Sequence, residues 1–239
     1  MPNLPNSNIC SILVDYRIAK SSLKRLSALG IDVIFTKKNN RLHNSLCGHA
    51  DMQIIHIGSN KFVCDRDCYD YYSKMLPDAQ ILCSDKSVDI KYPNDIILNC
   101  ALVGKYAIHN FNLTDSRLLD ELVGYNRISV KQGYSKCSVA VLNENTIITS
   151  DTVIHAKAIE NRLNSLYVNC DDIILKGMSH GFIGGICGKI AEDKLAVNGT
   201  IEKLKCGKSF IEFCNKHSIE IIPLNDGIPE DIGSIIPLY

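Results

Sequence analysis

The same local pattern occurs five times along this chain, and it limits the folds that the chain can adopt. A polar or glycine-containing segment leads into an apolar strand, which in most cases is followed by a tight polar turn, a second apolar strand and an amphipathic helix. The five segments are His49-Ala50-Asp51-Met52, Pro93-Asn94-Asp95-Ile96, Ser135-Lys136-Cys137-Ser138, Phe182-Ile183-Gly184-Gly185 and Pro229-Glu230-Asp231-Ile232. A period of about 40 to 50 residues predicts a repeat architecture built from supersecondary units.

Local patterns predict the helices and strands within these units. Helices are expected from Ser21 to Gly30 and over residues 68–76, 115–123, 152–163 and 201–217, each with apolar residues at helical spacing. Strand pairs are expected around the turns Gly58-Ser59-Asn60, Gly104-Lys105 and Asn143-Glu144-Asn145. The fourth unit should also contain a strand at residues 173–175. One helix in each unit should pack against the strands through Leu23, Leu26, Leu118, Leu122, Ile159, Leu163, Phe210 and Phe213.

The two ends of the chain complement each other. The fifth unit stops after an apolar strand at residues 232–239, without its second strand, whereas the first unit has a surplus strand at residues 9–15. We therefore expect the N-terminal strand to complete the fifth unit and to close the units into a ring, which removes exposed strand edges. No linker interrupts the repeats, so a single α/β domain spanning residues 1–239 is predicted.

Composition restricts the partners. Lys plus Arg (26) equals Asp plus Glu (26), so no overall positive field exists to attract nucleic acid or an anionic membrane, and a small-molecule partner is favoured. The first residues do not resemble a secretory signal, and no run of 18 apolar residues occurs, which predicts a cytoplasmic protein. Most of the eleven cysteines, among them Cys170 and Cys206, are expected to be free thiols.

Equivalent positions at the starts of the middle strands should converge on the axis of such a ring, where a pocket would lie. Matching the units by their strand pairs gives Asp51, Asp95, Cys137, Gly184 and Asp231. His49 precedes Asp51 by two residues, and strand alternation would place both side chains on one face. The same alternation would direct Lys136 away from Cys137 and would place Cys187, the second-choice nucleophile, on the opposite face.

Five strand-rich units, each with an outer helix, resemble the pentein fold, the five-bladed α/β-propeller of guanidino-group-modifying enzymes. These enzymes use a cysteine at the start of such a strand, a His-x-Asp motif two units away and an acid in the unit before that motif. His49-Ala50-Asp51, Cys137 and Asp231 match this spacing around a closed ring. The linear order differs, because the cysteine of the family usually lies near the C-terminus; a circular permutation would reconcile the two orders.

The resemblance implies a cysteine-dependent hydrolase or amidinotransferase that acts on a small guanidine and needs no cofactor. Cys137 would be the nucleophile, His49 the acid and base, and Asp231 the third catalytic residue. Asp51, Asp95 and Gly184 would bind the substrate. Two alternatives stay open. The same fold also serves as a non-enzymatic ribosome anti-association factor, and a zinc site could be drawn from Cys47, His49, Cys64 and Cys68, although the Cys-x3-Cys pair has no matching partner.

Overall fold

The computed structural model describes residues 1–239 as five three-stranded sheets with α-helices between the strands. In every sheet the central strand pairs antiparallel with one neighbour and parallel with the other. In four sheets the antiparallel partner is the preceding strand of a hairpin, and the parallel partner follows a helix. This arrangement agrees with the repeated unit that the sequence predicts, since a parallel pair requires a long crossover connection.

The strands are short and regularly spaced. They are β1 (Ser11–Val14), β2 (Asp32–Phe35), β3 (Ile54–Gly58), β4 (Lys61–Cys64), β5 (Gln80–Cys83), β6 (Ala101–Val103), β7 (Tyr106–His109), β8 (Asn126–Ser129), β9 (Val139–Asn143), β10 (Thr146–Thr149), β11 (Asn164–Tyr167), β12 (Cys187–Ala191), β13 (Lys194–Val197), β14 (Glu220–Pro223) and β15 (Ile236–Leu238). The helices are α1 (Lys20–Ala28), α2 (Ala50–Gln53), α3 (Tyr69–Met75), α4 (Ser116–Glu121), α5 (Thr152–Glu160) and α6 (Gly207–Lys216).

The pairing predicted for the two ends of the chain is confirmed. β1 pairs antiparallel with β15, so that Ser11 lies opposite Leu238, and β1 pairs in parallel with β2. The N-terminal strand thus completes the fifth sheet. The five sheets remain separate, however, and no sheet closes on itself through hydrogen bonds.

Packing connects the sheets where hydrogen bonds do not. Each of five hydrophobic clusters contains buried side chains from two sheets. Leu13 of β1 packs with Phe62 of β4 in one cluster, and Val14 of β1 packs with Ile190 of β12 in another. The other three clusters join β3 to β6, β6 to β9 and β9 to β12. Burial of apolar side chains, at about 25 cal/mol per Å² removed from water, therefore holds neighbouring sheets together.

Two local predictions were wrong. Residues 173–175 form no strand, because β11 begins only four residues after α5 ends and takes the parallel position beside β10; Ile174 forms only an isolated bridge with Glu230. Ile159 is 53% exposed, because the buried face of α5 carries Ile154 and Ala158, four residues apart, and the residue after Ala158 lies about 100° away from that face. The remaining predicted helix residues are buried or half-buried.

Two cysteines form a disulfide bond, contrary to the prediction of free thiols for both. Cys170, after β11, is bonded to Cys206, immediately before α6. The other nine cysteines are free, and all but Cys10 and Cys83 are buried. Disulfides are rare in cytosolic proteins, so this bond does not favour the cytoplasmic location predicted above. None of the helices has the length and apolar composition needed to span a membrane.

Candidate active site

Polar side chains meet where the first strands of the five sheets begin. Asp51 lies in α2 just before β3, Asn99 precedes β6, Lys136 and Cys137 precede β9, and Ser234 precedes β15. We refer to these five residues as the central cluster. The fourth sheet contributes main chain, since the carbonyl of Gly184 accepts a hydrogen bond from the Ser234 hydroxyl at 3.0 Å. All five units therefore contribute to one polar centre.

The thiol of Cys137 is held by two side chains of the central cluster. Its Sγ donates to Oδ2 of Asp51 at 3.3 Å and accepts from Nδ2 of Asn99 at 3.1 Å. The Oδ1 atom of Asn99 also accepts from the main-chain N–H of Cys137 at 3.2 Å and of Lys136 at 2.9 Å. Cys137 is only 2% exposed. The thiol is therefore firmly positioned beside a carboxylate but is closed to solvent.

Lys136 points towards the centre, which corrects the prediction from strand alternation. Its Nζ donates to the hydroxyl of Ser234 at 2.9 Å, and that hydroxyl lies 2.7 Å from Oδ2 of Asp51. Strand alternation does not apply here because residues 135–138 form a turn before β9 begins. His49 and Asp51 likewise lie at a single helical turn, with His49 as its N-cap residue, and not on a strand.

His49 and Asp231 form a second pair. The His49 Nδ1 atom lies 3.8 Å from Oδ1 of Asp231 and has no hydrogen-bond partner. Asp231 is oriented by two main-chain N–H groups, those of Phe182 and Gly233, each at 2.9 Å. A side chain at Gly185 would collide with the Asp231 carboxylate, because an added Cβ would lie 2.3 Å from its carboxyl carbon. Glycine at this position therefore lets the backbone approach the acid.

A cavity of about 160 Å³ borders this pair. His49 and Asp231 form part of its wall, together with the ion pair of Asp15 with Arg17 and the ion pair of Lys176 with Glu230. The Arg17 guanidinium is tied down further, since it donates to the main-chain oxygens of residues 44 and 45 at 2.7 and 2.9 Å. Cys137 does not line this cavity. A small polar molecule could occupy this space directly beside the imidazole.

Burial dominates the electrostatics of the site. It lowers the pKa of His49 and raises the pKa of Asp51, and it raises the pKa of Asp231 to about 6. The pKa of Cys137 is well above its usual range, first because of burial and second because of the Asp51 carboxylate. Burial therefore shifts the ionisation equilibrium of each of these groups towards its neutral form.

The other two proposed substrate-binding residues have different surroundings. Asp95 is buried, accepts a hydrogen bond from the Tyr134 hydroxyl, and leaves its Oδ1 without a partner. The Tyr134 ring stacks on Phe182 at 5.9 Å. Gly184 donates its N–H to the carbonyl of Cys137 at 2.7 Å, and an added Cβ would lie 2.4 Å from two main-chain oxygens. Gly184 thus allows close packing of the backbone and adjoins no open space.

Sequence reasoning missed Asn99 and Ser234. Asn99 holds the thiol and two main-chain N–H groups, and Ser234 bridges Lys136 and Asp51. A polar residue before an apolar strand is common at a turn, so neither residue stands out in the sequence. The strand register of the structure relates them to Cys137, because Asn99, Ser234 and Cys137 each lie two residues before the first paired residue of the strand that follows, which is Ala101, Ile236 or Val139.

A family model described as "Family of unknown function (DUF6873)" matches residues 13–236. The chain belongs to this family. No curated protein matches it. The matched range includes all five residues of the central cluster, but the description of the family gives no activity.

Solved structures show the fold more clearly. The chain is similar to C. jejuni agmatine deiminase, with a TM-score of 0.59 and 9% identity over 100% of this chain and 95% of that one. It is also similar to an inosamine-phosphate amidinotransferase from Streptomyces griseus, with a TM-score of 0.58 and 11% identity over 100% and 97% of the two chains. A DDAH from Pseudomonas aeruginosa matches with a TM-score of 0.55 and 9% identity over 90% and 92%. This protein of the DUF6873 family therefore has the pentein fold.

Proposed function

We propose that this protein is a cysteine-dependent enzyme that transfers or hydrolyses the amidino group of a small guanidine. Its five units would form one domain in the shape of a closed ring, with the central cluster on the ring axis. The observation that carries the proposal is the contact between the Cys137 thiol and the Asp51 carboxylate. The His49–Asp231 pair lies nearby, with His49 in the same unit as Asp51 and Asp231 in the fifth unit. Similarity to the structures of an amidinotransferase and a deiminase supports the same general chemistry.

A guanidinium ion suits the unpaired atoms of this site. The buried Oδ1 atoms of Asp51 and Asp95 and the Nδ1 atom of His49 lack hydrogen-bond partners. Buried polar atoms usually have partners, and an unpartnered one costs about 1 to 3 kcal/mol. A guanidinium ion carries five or six N–H donors in one plane, and carboxylate oxygens accept such donors well. Ligand binding would therefore supply the missing hydrogen bonds.

The charge of the ligand would also activate the nucleophile. Burial and the neighbouring carboxylates keep Cys137 protonated, which makes it a poor nucleophile without a ligand. A bound cation favours the ionised forms of Asp51, Asp231 and Cys137, since opposite charges at close range stabilise each other in a medium of low dielectric constant. We expect the thiolate to form only when the guanidinium is in place, with the thiol proton passing to His49, directly or through a water molecule, so that His49 is protonated for the next step.

The chemistry has two halves. The Cys137 thiolate attacks the guanidinium carbon, and the C–N bond to the leaving amine breaks as His49, in its protonated form, gives that amine a proton. This leaves a thiouronium in which the amidino carbon is bonded to Sγ. In the second half the neutral His49 takes a proton from water or from an acceptor amine. The resulting nucleophile displaces the Cys137 thiolate and yields a ureido product or a new guanidine.

Burial of the thiol favours a second candidate, a pentein protein that binds a ligand without covalent chemistry. Cys137 is 2% exposed, and the cavity beside His49 does not reach it. Asp51 and Asp95 could still hold a cation in such a protein. A binding protein would show guanidine affinity without any modification of Cys137, so the two candidates differ in a measurable way.

The test is the covalent intermediate. We would incubate the native protein with arginine, agmatine, methylated arginines and guanidinoacetate, quench with acid, and search by mass spectrometry for an amidino adduct on the Cys137 peptide. Release of ammonia, amine or ureido product would be followed in parallel. We expect one of these compounds to give both an adduct and turnover, and His49→Ala to accumulate or abolish the adduct.

Cys100→Ser is the matched control, because Cys100 is a buried free thiol in the equivalent region of the second unit. It should keep the activity that Cys137→Ser loses. Saturable binding of a guanidine with no adduct and no turnover would refute covalent catalysis and support the binding protein. Absence of both binding and turnover across the panel would refute the guanidine proposal for these compounds.

A further inference from the structure

We propose that Lys136 is the counter-ion that favours the carboxylate form of Asp51 inside the buried centre, acting through the hydroxyl of Ser234. Lys136 is thus a positioning residue for the substrate clamp, and this assignment deepens the proposed function and rests on it. Neither strand alternation nor the pentein resemblance gave Lys136 this role. It depends on a chain of three side chains from three different units.

The geometry of that chain is continuous. The Lys136 Nζ donates to the Ser234 hydroxyl at 2.9 Å, and that hydroxyl lies 2.7 Å from Oδ2 of Asp51. Because the ammonium has no acceptor capacity, the hydroxyl must accept from Lys136 and direct its own proton elsewhere. The carboxylate of Asp51 and the carbonyl of Gly184 are the two acceptors within reach. Serine therefore links the positive charge to the carboxylate while staying neutral.

Asp51 needs such a counter-ion because of where it lies. It is 2% exposed, and an ionised carboxylate in a dry interior is unstable unless a charge or several hydrogen bonds compensate it. Its hydrogen-bond donors are few: the Ser234 hydroxyl and the weakly acidic Cys137 thiol reach Oδ2, and nothing reaches Oδ1. Hydrogen bonds alone thus satisfy only one of the two oxygens.

The other titratable groups around Asp51 do not replace Lys136. His49 precedes it by two residues, but burial favours the neutral imidazole. Asp231, from the fifth unit, is an acid and opposes ionisation of Asp51. On the opposite side of Asp51 a small cavity is bordered by Asn3, Lys136 and His56, and burial keeps the pKa of His56 at about 4. Cys137 is a neutral thiol. Lys136 is therefore the cation among these groups.

The functional consequence concerns the free oxygen of Asp51. A carboxylate can accept two N–H groups of a guanidinium, whereas a protonated carboxyl group presents a competing O–H donor. By opposing the effect of burial on Asp51, Lys136 makes it easier for Oδ1 to act as the acceptor of a carboxylate when the ligand arrives. The lysine approaches from the third unit, on the side of Oδ2, so it leaves Oδ1 free for the ligand.

The experiment measures the ionisation of Asp51 directly and needs no substrate. The whole protein would be labelled with 13Cγ-aspartate, and the Asp51 carboxyl signal would be assigned by its loss in Asp51→Asn. We expect Lys136→Met to raise the titration midpoint of Asp51 by about one pH unit or more, a tenfold change in its acid dissociation constant. Lys136→Arg should keep the midpoint near that of the unmodified protein, because it retains the charge.

Two further variants sharpen the test. Ser234→Ala removes the bridge but keeps the ammonium, so the midpoint should rise by less than in Lys136→Met; this variant also tests the assignment if Lys136→Met does not fold. Lys176→Met is the control, since Lys176 is 80% exposed at the cavity rim and pairs with Glu230. It should leave Asp51 unchanged. If the titration midpoint of Asp51 in Lys136→Met equals that of the unmodified protein, the assignment is overturned. If Lys136→Met does not fold, an unchanged midpoint in Ser234→Ala overturns it.

The role of Lys136 and the binding of a guanidine can be tested independently of each other. Guanidine binding would be measured by calorimetry on the same samples across the titration range. A raised midpoint without any guanidine binding supports the role of Lys136 and counts against the guanidine proposal. Guanidine binding that stays unaffected by Lys136→Met, with an unchanged midpoint, supports the proposed function and overturns the role of Lys136.

Discussion

Asp231 should make the stability of this protein fall as the pH rises from 4 to 7. Burial raises its pKa in the folded chain from 3.8 to about 6, so the folded protein holds a proton that the unfolded chain has already released. Between these two values the native state binds more protons, and the free energy of unfolding therefore decreases with increasing pH. The two values differ by an amount that corresponds to about 3 kcal/mol, all of it lost by pH 7. Asp231→Asn lacks this titration while keeping the shape of the side chain.

The assay compares the free energies of unfolding of Asp231→Asn and the unmodified protein at pH 4 and at pH 7.5. Urea must be the denaturant, because guanidinium chloride would supply a candidate ligand. We expect the difference between the two proteins to shift by about 2 kcal/mol in favour of the variant at the higher pH, since part of the full effect is already lost at pH 4. Asp78→Asn, at an exposed site, should give no such shift. A pH-independent difference for Asp231→Asn would show that Asp231 ionises as readily when folded as when unfolded.

Three further outcomes are expected. Gly185→Ala should lower the free energy of unfolding in urea by about 1 to 3 kcal/mol and weaken guanidine binding, because its Cβ would lie 2.3 Å from the carboxyl carbon of Asp231. Gly124→Ala is the control for urea unfolding, since a Cβ at this position meets nothing within 4 Å. Tyr134→Ala should speed alkylation of Cys137, measured by peptide mass spectrometry, because it removes the ring that stacks on Phe182 and the hydroxyl that binds Asp95; an unchanged rate would mean that reagents reach the thiol by another path. Deletion of residues 1–19 removes β1 and should abolish cooperative unfolding followed by circular dichroism, whereas retention of one sharp transition would show that the fifth sheet does not need its central strand.

The architecture could be predicted because the repeated pattern carries it. An apolar strand, a tight turn, a second strand and a helix recur with similar lengths, and the surplus strand at one end matches the deficit at the other. The pairing of β1 with β15 was predicted from that count, whereas its register was not. Local exceptions arose where a longer-range contact decided the outcome, as at residues 164–167, which form β11 because their backbone pairs with β10.

The details of the site could be predicted only in part. Sequence spacing selected Asp51 and Cys137, which are in contact, and His49 and Asp231, which form the neighbouring pair. It failed for Lys136, because alternation assumes a strand and the residues before β9 form turns instead. Asn99 and Ser234 gave no signal, since their roles depend on partners 38 and 183 residues away in the sequence.

A single physical conflict connects the stability of this fold with its proposed chemistry. The centre holds two acids and a thiol in surroundings that shift them towards their neutral forms, and burial raises the pKa of both Asp51 and Asp231. Such an arrangement costs folding free energy unless a cation compensates the acids. Lys136 compensates one of them from within the chain, through Ser234. Asp231 has no lysine or arginine bonded to it. A ligand that brings one positive charge and several N–H donors would therefore bind here more favourably than a neutral one. The same cost that destabilises the empty centre at neutral pH therefore favours a guanidinium over a neutral ligand such as urea.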